Sequence, residues 1–387
     1  MNNVAEIIVE GDNKKKPNQR IIGLGILIFL VFIVCLVVGL RSANDPSRKT
    51  KTIYGAVGGG KENFLADEDF NKVLNETYGL NVVNDTWSNG ATVKDPVLRK
   101  DGSHYDFIFF SDQRFYDYYK TKANKENGEA DRETVLGGSL TLNTPIVIYS
   151  WDVVVDVLIK EDIVSQRDDV YYITDMEKLL NYILEGKSWK DIGLDNLYGS
   201  ININSTDPIT SSPGATYYGL LLSIMCGGEI SEQKVEENLP KLKEFYNKSG
   251  YMNNTPADLF DMYLKTGVGA KPMIVDYEKS IIDFANSNPD GYEQVKDKIR
   301  ILYPVPTIWN SHCIATLTEE GNEYFKAFEN KEIQQLAWSK YGFRTGVTGG
   351  NYDVSAVGVK GVPQTIDTTV SGLRMNVYTR LIEYLGK

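Results

Sequence analysis

Residues Ile21 to Leu40 (IIGLGILIFLVFIVCLVVGL) run for twenty positions without a charge or a proline, and no other stretch constrains the chain as strongly. A helix needs about 20 apolar residues to cross ~30 Å of hydrocarbon, where every backbone polar group must be satisfied within the segment. Secretory signals have a shorter apolar region, about 7 to 15 residues, and the cleavage site offered here, Val37-Val38-Gly39, is a poor one. The stretch therefore reads as an uncleaved signal anchor, with residues 1–20 as a cytoplasmic tail, 21–40 as the transmembrane helix and 41–51 as a polar tether. Cys35 follows Val34 in mid-span and reads as an apolar Cys of that helix, not a lipid attachment point. Four basic residues before the span (Lys14, Lys15, Lys16, Arg20) match four after it (Arg41, Arg48, Lys49, Lys51), so the charge rule does not orient it. The short tail leaves the body as the extracellular part of a single-pass protein of the cell membrane.

The chain has 387 residues, 42% of them hydrophobic and 24% charged, enough for two domains or one two-lobed domain without help from disulfides or metals. Its net charge is −11, and the first 51 residues are basic, so the body is more acidic than the whole. That excludes a nucleic-acid partner, since neutralising phosphates takes a basic surface. From Thr52 onward short apolar runs alternate with helical patterns, which predicts an α/β fold with a largely parallel sheet. Strands are expected at 52–57, 80–84, 106–110, 145–150, 201–204, 271–275 and 300–303. Helices are expected at 67–78, 151–160, 175–185, 214–226, 231–247, 256–265, 277–285, 319–341 and 368–385. The polar stretch 116–138 is expected to be an exposed excursion headed by tyrosines that cover the core.

Three apparent catalytic motifs fail on their chemistry. Gly55-Ala-Val-Gly58-Gly59-Gly60-Lys61 has the spacing of a phosphate-binding loop, but Glu62 stands where Ser or Thr would hold magnesium. A glycine run ending a strand can still present backbone N–H groups to a ligand. Ser231-Glu-Gln-Lys234 with Lys265-Thr266-Gly267 and Ser111-Asp112-Gln113 imitates a penicillin-binding set in the wrong order, and Ser231 reads as a helix cap. The two histidines, His104 and His312, are not at metal spacing, and both read as structural. Cys226 and Cys313 can pair if the body is extracellular, though spacing does not decide it. No catalytic residue, metal or cofactor is called for.

The informative segment is Asn204-Ser-Thr206-Asp207-Pro208-Ile-Thr210-Ser211-Ser212-Pro213-Gly214-Ala215, which ends one predicted strand and opens a predicted helix. Hydroxyls at a helix start, beside unpaired N–H groups and the positive end of the dipole, suit an anion without any cation; they equally suit a well-capped helix.

Together with Leu184-Glu-Gly-Lys-Ser-Trp189-Lys-Asp-Ile-Gly193 and Gly199-Ser-Ile-Asn-Ile-Asn204, this segment resembles the second lobe of type II solute-binding proteins, in particular the sulfate- and molybdate-binding branch. Pro145-Ile-Val-Ile-Tyr-Ser150-Trp151-Asp152 resembles the crossing into that lobe, Tyr277-Glu278 its ligand-side turn, and Leu302-Tyr303-Pro304-Val-Pro306-Thr307 the return crossing. Gly342-Phe343-Arg344 resembles the closing segment. The resemblance covers nearly all of 52–387 and implies two α/β lobes, 52–146 plus 306–387 and 147–305, closing on a small anionic solute supplied to an ABC-type permease or a membrane sensor. Ligands of open α/β sheets sit where strands end or helices begin, which gives the expected ligand-side residues Gly58, Gly59, Gly60, Lys61, Ser111 and Asp112 on one lobe. On the other they are Tyr149, Ser150, Trp151, Thr210, Ser211, Ser212, Gly214, Ala215 and Tyr277. Asp112 is the carboxylate expected to accept the proton of a monohydrogen phosphate. The alternative is a cell-surface interaction module, on the same fold, for a partner protein or wall fragment.

Overall fold

The computed structural model describes residues 50–87, 97–125, 134–346 and 353–387. The apolar span 21–40, the tail before it and nearly all of the tether lie outside them. Among the described residues no helix is long and apolar enough to cross a membrane. Lys51–Lys387 is one compact unit.

Strand β1 (Lys51–Val57) leads through the glycine turn into the single-turn helix α1 (Glu62–Leu65) and then α2 (Glu68–Tyr78). Asp67 starts α2 by accepting from the N–H groups of Asp69 and Phe70, and Gly79 ends it in the left-handed region, where a side chain would be strained. β2 (Leu80–Thr86) and β3 (Phe107–Phe110) flank β1 in parallel. Helix α3 (Gln113–Lys125) occupies the front of the expected excursion, and Tyr116 and Tyr119 are buried on it against Phe110, covering the core.

β4 (Leu140–Trp151) follows, then α4 (Asp152–Lys160), the hairpin β5 (Val164–Arg167) and β6 (Val170–Ile173), and α5 (Met176–Glu185). Four helices and a strand come next: α6 (Ser212–Met225), α7 (Glu232–Lys248), α8 (Pro256–Thr266), β7 (Met273–Tyr277) and α9 (Glu278–Ser287). The chain continues through α10 (Pro289–Val295), β8 (Ile299–Pro304), β9 (Thr307–Thr316), α11 (Glu319–Ala327) and α12 (Lys331–Ser339). It closes with β10 (Arg344–Thr345), β11 (Thr369–Val370) and α13 (Met375–Leu385).

The sheet order is β2-β1-β3-β9-β4-β8-β6-β5, with β7 and β10 also on β4 and β11 on β9. β4 is the pivot: up to Pro145 its partner is β9, and from Ile146 its partners are β7 and β8. Proline lacks the N–H a ladder needs, which is why it is tolerated at a change of partner. Helix α6 is buried on nearly every face between these strands and α7.

Several expectations are corrected. The sheet is mixed, because β4 runs antiparallel to β7, β8 and β9, and β9 runs antiparallel to β3. Residues 201–204 form only a bridge, Asn204 to Ile274, since Asp207-Pro208 turns the chain away at once. The helix expected over 319–341 is two, because Asn330 accepts from the N–H groups of Glu332 and Ile333 and so starts a new one. The helix expected from 368 begins at Met375, as Thr369 and Val370 pair with Thr307 and Ile308. Cys226 and Cys313 are free and buried.

Candidate functional site

The start of α6 is built by a turn. The Asp207 carboxylate accepts from the Ile209 N–H at 2.9 Å, and its carbonyl accepts from Thr210 and Ser211 at 3.2 and 2.9 Å. Ser211 stands at the N-cap in extended conformation, but its hydroxyl donates to Thr206 Oγ1 at 2.8 Å and caps nothing. Pro213 has no N–H, and the Ala215 N–H donates to the Ser211 carbonyl. The N–H groups of Ser212 and Gly214 are left without a partner among the described residues. Gly214 is required by a close approach: a Cβ there would lie 2.2 Å from the Thr206 carbonyl oxygen.

Facing α6 is the glycine turn after β1. The Gly58 N–H donates to the Phe109 carbonyl, and the Gly60 N–H donates to both Glu62 carboxylate oxygens, at 3.0 and 2.8 Å. Glu62 thus fills the place a phosphate takes in a nucleotide-binding loop. Lys61 turns inward: its Nζ donates to the Gly58 carbonyl at 2.5 Å, lies 3.3 Å from His312 Nδ1 and sits over the Phe109 ring. Burial lowers its ammonium group to about 7.

Between these walls lies a cavity of about 270 Å³, near the lower end of small-molecule sites. Gly59, Gly60 and Ser111 line one side, Thr210, Ser211 and Ser212 the other, and Tyr277, Asn310 and His312 also line it. Asn310 Oδ1 is buried with no hydrogen-bond partner among the described residues, and the buried Tyr277 hydroxyl has only Thr216 beside it, too loosely placed for a well-formed bond. Burial pushes the Tyr277 phenol well above its ordinary range, so it remains a neutral O–H donor. Among the described residues that line it there is no Lys or Arg, so these residues offer neutral donors and one unpaired acceptor.

No protein-family model matches the sequence, and no curated protein matches it. Solved structures do. One described as an extracellular solute-binding protein from Bordetella parapertussis aligns with a TM-score of 0.52 at 13% identity, covering 86% of this chain and 96% of that one. The apo ferric ion-binding protein A of Pasteurella haemolytica aligns at 0.52 and 9% identity over 87% and 96% of the two chains. The substrate-binding protein of an ABC transporter from Agrobacterium tumefaciens aligns at 0.51 and 14% over 89% and 96%. The fold is that of extracellular solute-binding proteins. These neighbours are binding proteins, not enzymes. Among the described residues no group of three or more His, Cys, Asp or Glu is placed to hold a metal ion.

In this solute-binding fold the expected residues divide. Gly59, Gly60, Ser111, Thr210, Ser211, Ser212 and Tyr277 come together around the cavity. Tyr149, Ser150 and Trp151 do not: they are buried along β4, where Tyr149 Oη donates to the Tyr277 carbonyl, Ser150 Oγ to Pro272 and Trp151 Nε1 to Lys271. These side chains fasten β7 and the loop before it. Gly58 and Ala215 have their N–H groups engaged, Gly214 contributes a close contact, and Lys61 points into the core beneath the turn. Asp112 cannot serve as a free acceptor, because it is locked to Arg114 in a buried bidentate pair with Arg114 stacked on Tyr378. Among the lining residues that were not expected are the polar pair Asn310 and His312. They alternate along β9 in Ile308-Trp-Asn310-Ser-His312, which is the available sequence signal for one polar strand face.

Proposed function

We propose that this chain is a membrane-tethered, cell-surface solute-binding protein that captures a small oxyanion and supplies an ABC-type permease or a membrane sensor. The two lobes are 52–146 plus 306–387 and 147–305, and residues 21–40 anchor them. The observation that carries the reading is a cavity at the start of a buried helix whose Ser212 and Gly214 N–H groups have no partner among the described residues, with the Tyr277 hydroxyl buried beside it. A buried polar group without a partner is costly and calls for an explanation, and a ligand supplies one. Hydrogen bonds to a charged group contribute about 1.5–3 kcal/mol each, so a few of them with the helix dipole offset an ion's desolvation without an Arg. The solute-binding fold of the neighbours supports the same reading.

Calorimetry and thermal shift with sulfate, molybdate and phosphate test it. Tyr277→Phe is expected to weaken the bound ion roughly tenfold or more. The ligand-free melting temperature should change little, because the hydroxyl removed has only a loose contact with Thr216 to lose. An unchanged dissociation constant would reject the cavity as the ion site and favour the interaction module. The anchor is tested on intact cells, where added protease should remove the body and leave a short membrane fragment. A chain that survives while a known surface protein is digested would place the body inside.

A further inference from the structure

The polar floor of the cavity has a hydrogen-bond pattern that fixes where its protons lie. Asn310 Nδ2 is 3.0 Å from the Ser111 carbonyl and 3.1 Å from His312 Nε2. A carbonyl only accepts, so the atom facing it must be the amide nitrogen, and that nitrogen also donates to His312 Nε2. His312 then carries its proton on Nδ1, which is 3.3 Å from Lys61 Nζ. An N–H can face Lys61 only if the amine is neutral with its lone pair turned to the ring, while its own hydrogens reach the Gly58 carbonyl. In this state Asn310 has one polar atom to spare, the acceptor Oδ1.

Adding one proton reverses the chain. Lys61 becomes an ammonium group and donates to Nδ1, the imidazole proton shifts to Nε2, and the Asn310 amide must turn so that Oδ1 accepts from Nε2–H. Nδ2 then takes the place Oδ1 held, and the bond from Asn310 to the Ser111 carbonyl is lost. That loss and the burial of the Lys61 charge disfavour the turned state unless a ligand accepts from Nδ2. The charged and titratable groups facing the pair are Glu62 from α1, Lys279 from α9 and the Cys313 thiol from β9; Glu62 favours the added proton and Lys279 opposes it.

We propose that the Asn310 amide, turned by Lys61 through His312, decides whether the cavity takes a fully ionised oxyanion or one that carries a proton. With Lys61 neutral, Oδ1 accepts the O–H of a hydrogen-bearing anion such as monohydrogen phosphate. With Lys61 charged, Nδ2 donates to an ion such as sulfate. The bound site holds the extra proton either way, on the ligand or on Lys61. The inference rests on the oxyanion reading of the cavity.

The test is the affinity of the full chain for sulfate and for inorganic phosphate, by calorimetry between about pH 6 and pH 9. Sulfate binding should take up one proton, read from heats in buffers of different ionisation enthalpy. It should weaken about tenfold per pH unit above about 7, where the unliganded Lys61 loses its proton. Phosphate, which keeps a proton across that range, should show no such fall. Lys61→Met should move selectivity at least tenfold toward phosphate and abolish the sulfate slope. Should that variant fail to fold, Asn310→Asp, which only accepts, should reject sulfate more than phosphate. Parallel pH profiles for the two ions, or equal losses in Asn310→Asp, overturn the inference and leave the oxyanion reading standing. Failure of both ions to bind wild type at any pH overturns the reading and the inference together.

Discussion

Glu278→Ala is expected to destabilise the protein by about 3–5 kcal/mol in denaturant unfolding, because it strands a buried guanidinium. Arg344 and Glu278 are almost completely buried and meet in two parallel bonds, Nε to Oε1 at 2.7 Å and Nη2 to Oε2 at 2.9 Å. Tyr303 donates to the same carboxylate at 2.7 Å, while Arg344 also reaches the carbonyls of Pro363 and Gln364 and stacks on Trp338. The pair therefore ties β10, and through the carbonyls of Pro363 and Gln364 a later segment, to the start of α9, next to Tyr277. Arg380 and Glu236 form an equally short bidentate pair, at 2.6 and 2.7 Å, but stand in solvent. Glu236→Ala should leave the unfolding midpoint nearly unchanged. The contrast isolates burial from geometry. If both variants unfold at the same denaturant concentration, the Arg344 site is hydrated and the tie is weak.

That pair also shows what a sequence can disclose. Tyr277-Glu278 and Gly342-Phe343-Arg344 could each be placed on the outline of the fold, yet nothing in the sequence says that one carboxylate waits for a guanidinium 66 residues away. Local signals served where the cause is local. Asp67, Ser231 and Thr255 cap their helices through bonds two or three residues away, and the starts of those helices were legible. Strand β9 was missed because Thr307–Thr316 carries polar residues on both faces of a central strand, where composition resembles a loop. The site was half legible for the same reason. Ser211 and Gly59 lie at ends of elements that sequence marks, whereas Asn310 and His312 acquire meaning only when β9 is laid between β3 and β4. Lys61 and Asp112 were read as ligands because they are charged and follow strands. The structure supplies each with a closer partner, the Gly58 carbonyl for Lys61 and Arg114 for Asp112, so neither side chain is free to meet a solute.

Gly214→Ala should lower stability by about 1–3 kcal/mol and abolish measurable anion binding, although alanine is the better helix former by about 1 kcal/mol. The added Cβ would stand 2.2 Å from the Thr206 carbonyl oxygen and 2.9 Å from the Pro208 nitrogen, both backbone atoms that cannot rotate aside. Helix α6 cannot slide away cheaply, since its residues from Pro213 to Ser223 are buried against surrounding elements. Relief must come from the turn at 206–211, which carries Thr210 and Ser211 and sets the distance from the helix start to Tyr277 and Asn310. Gly219 is the control within the same helix. A Cβ there meets only the Leu373 side chain, at 3.3 Å, which can yield by a few tenths of an ångström. Gly219→Ala should therefore be close to neutral or slightly stabilising, with ion affinity unchanged. Thermal melts of the two variants, with titrations of the ion that binds wild type, separate the outcomes. A Gly214→Ala protein that melts and binds as wild type would mean that the turn is pliable, and then the seating of α6 on Thr206 could not be what holds its free N–H groups at the cavity.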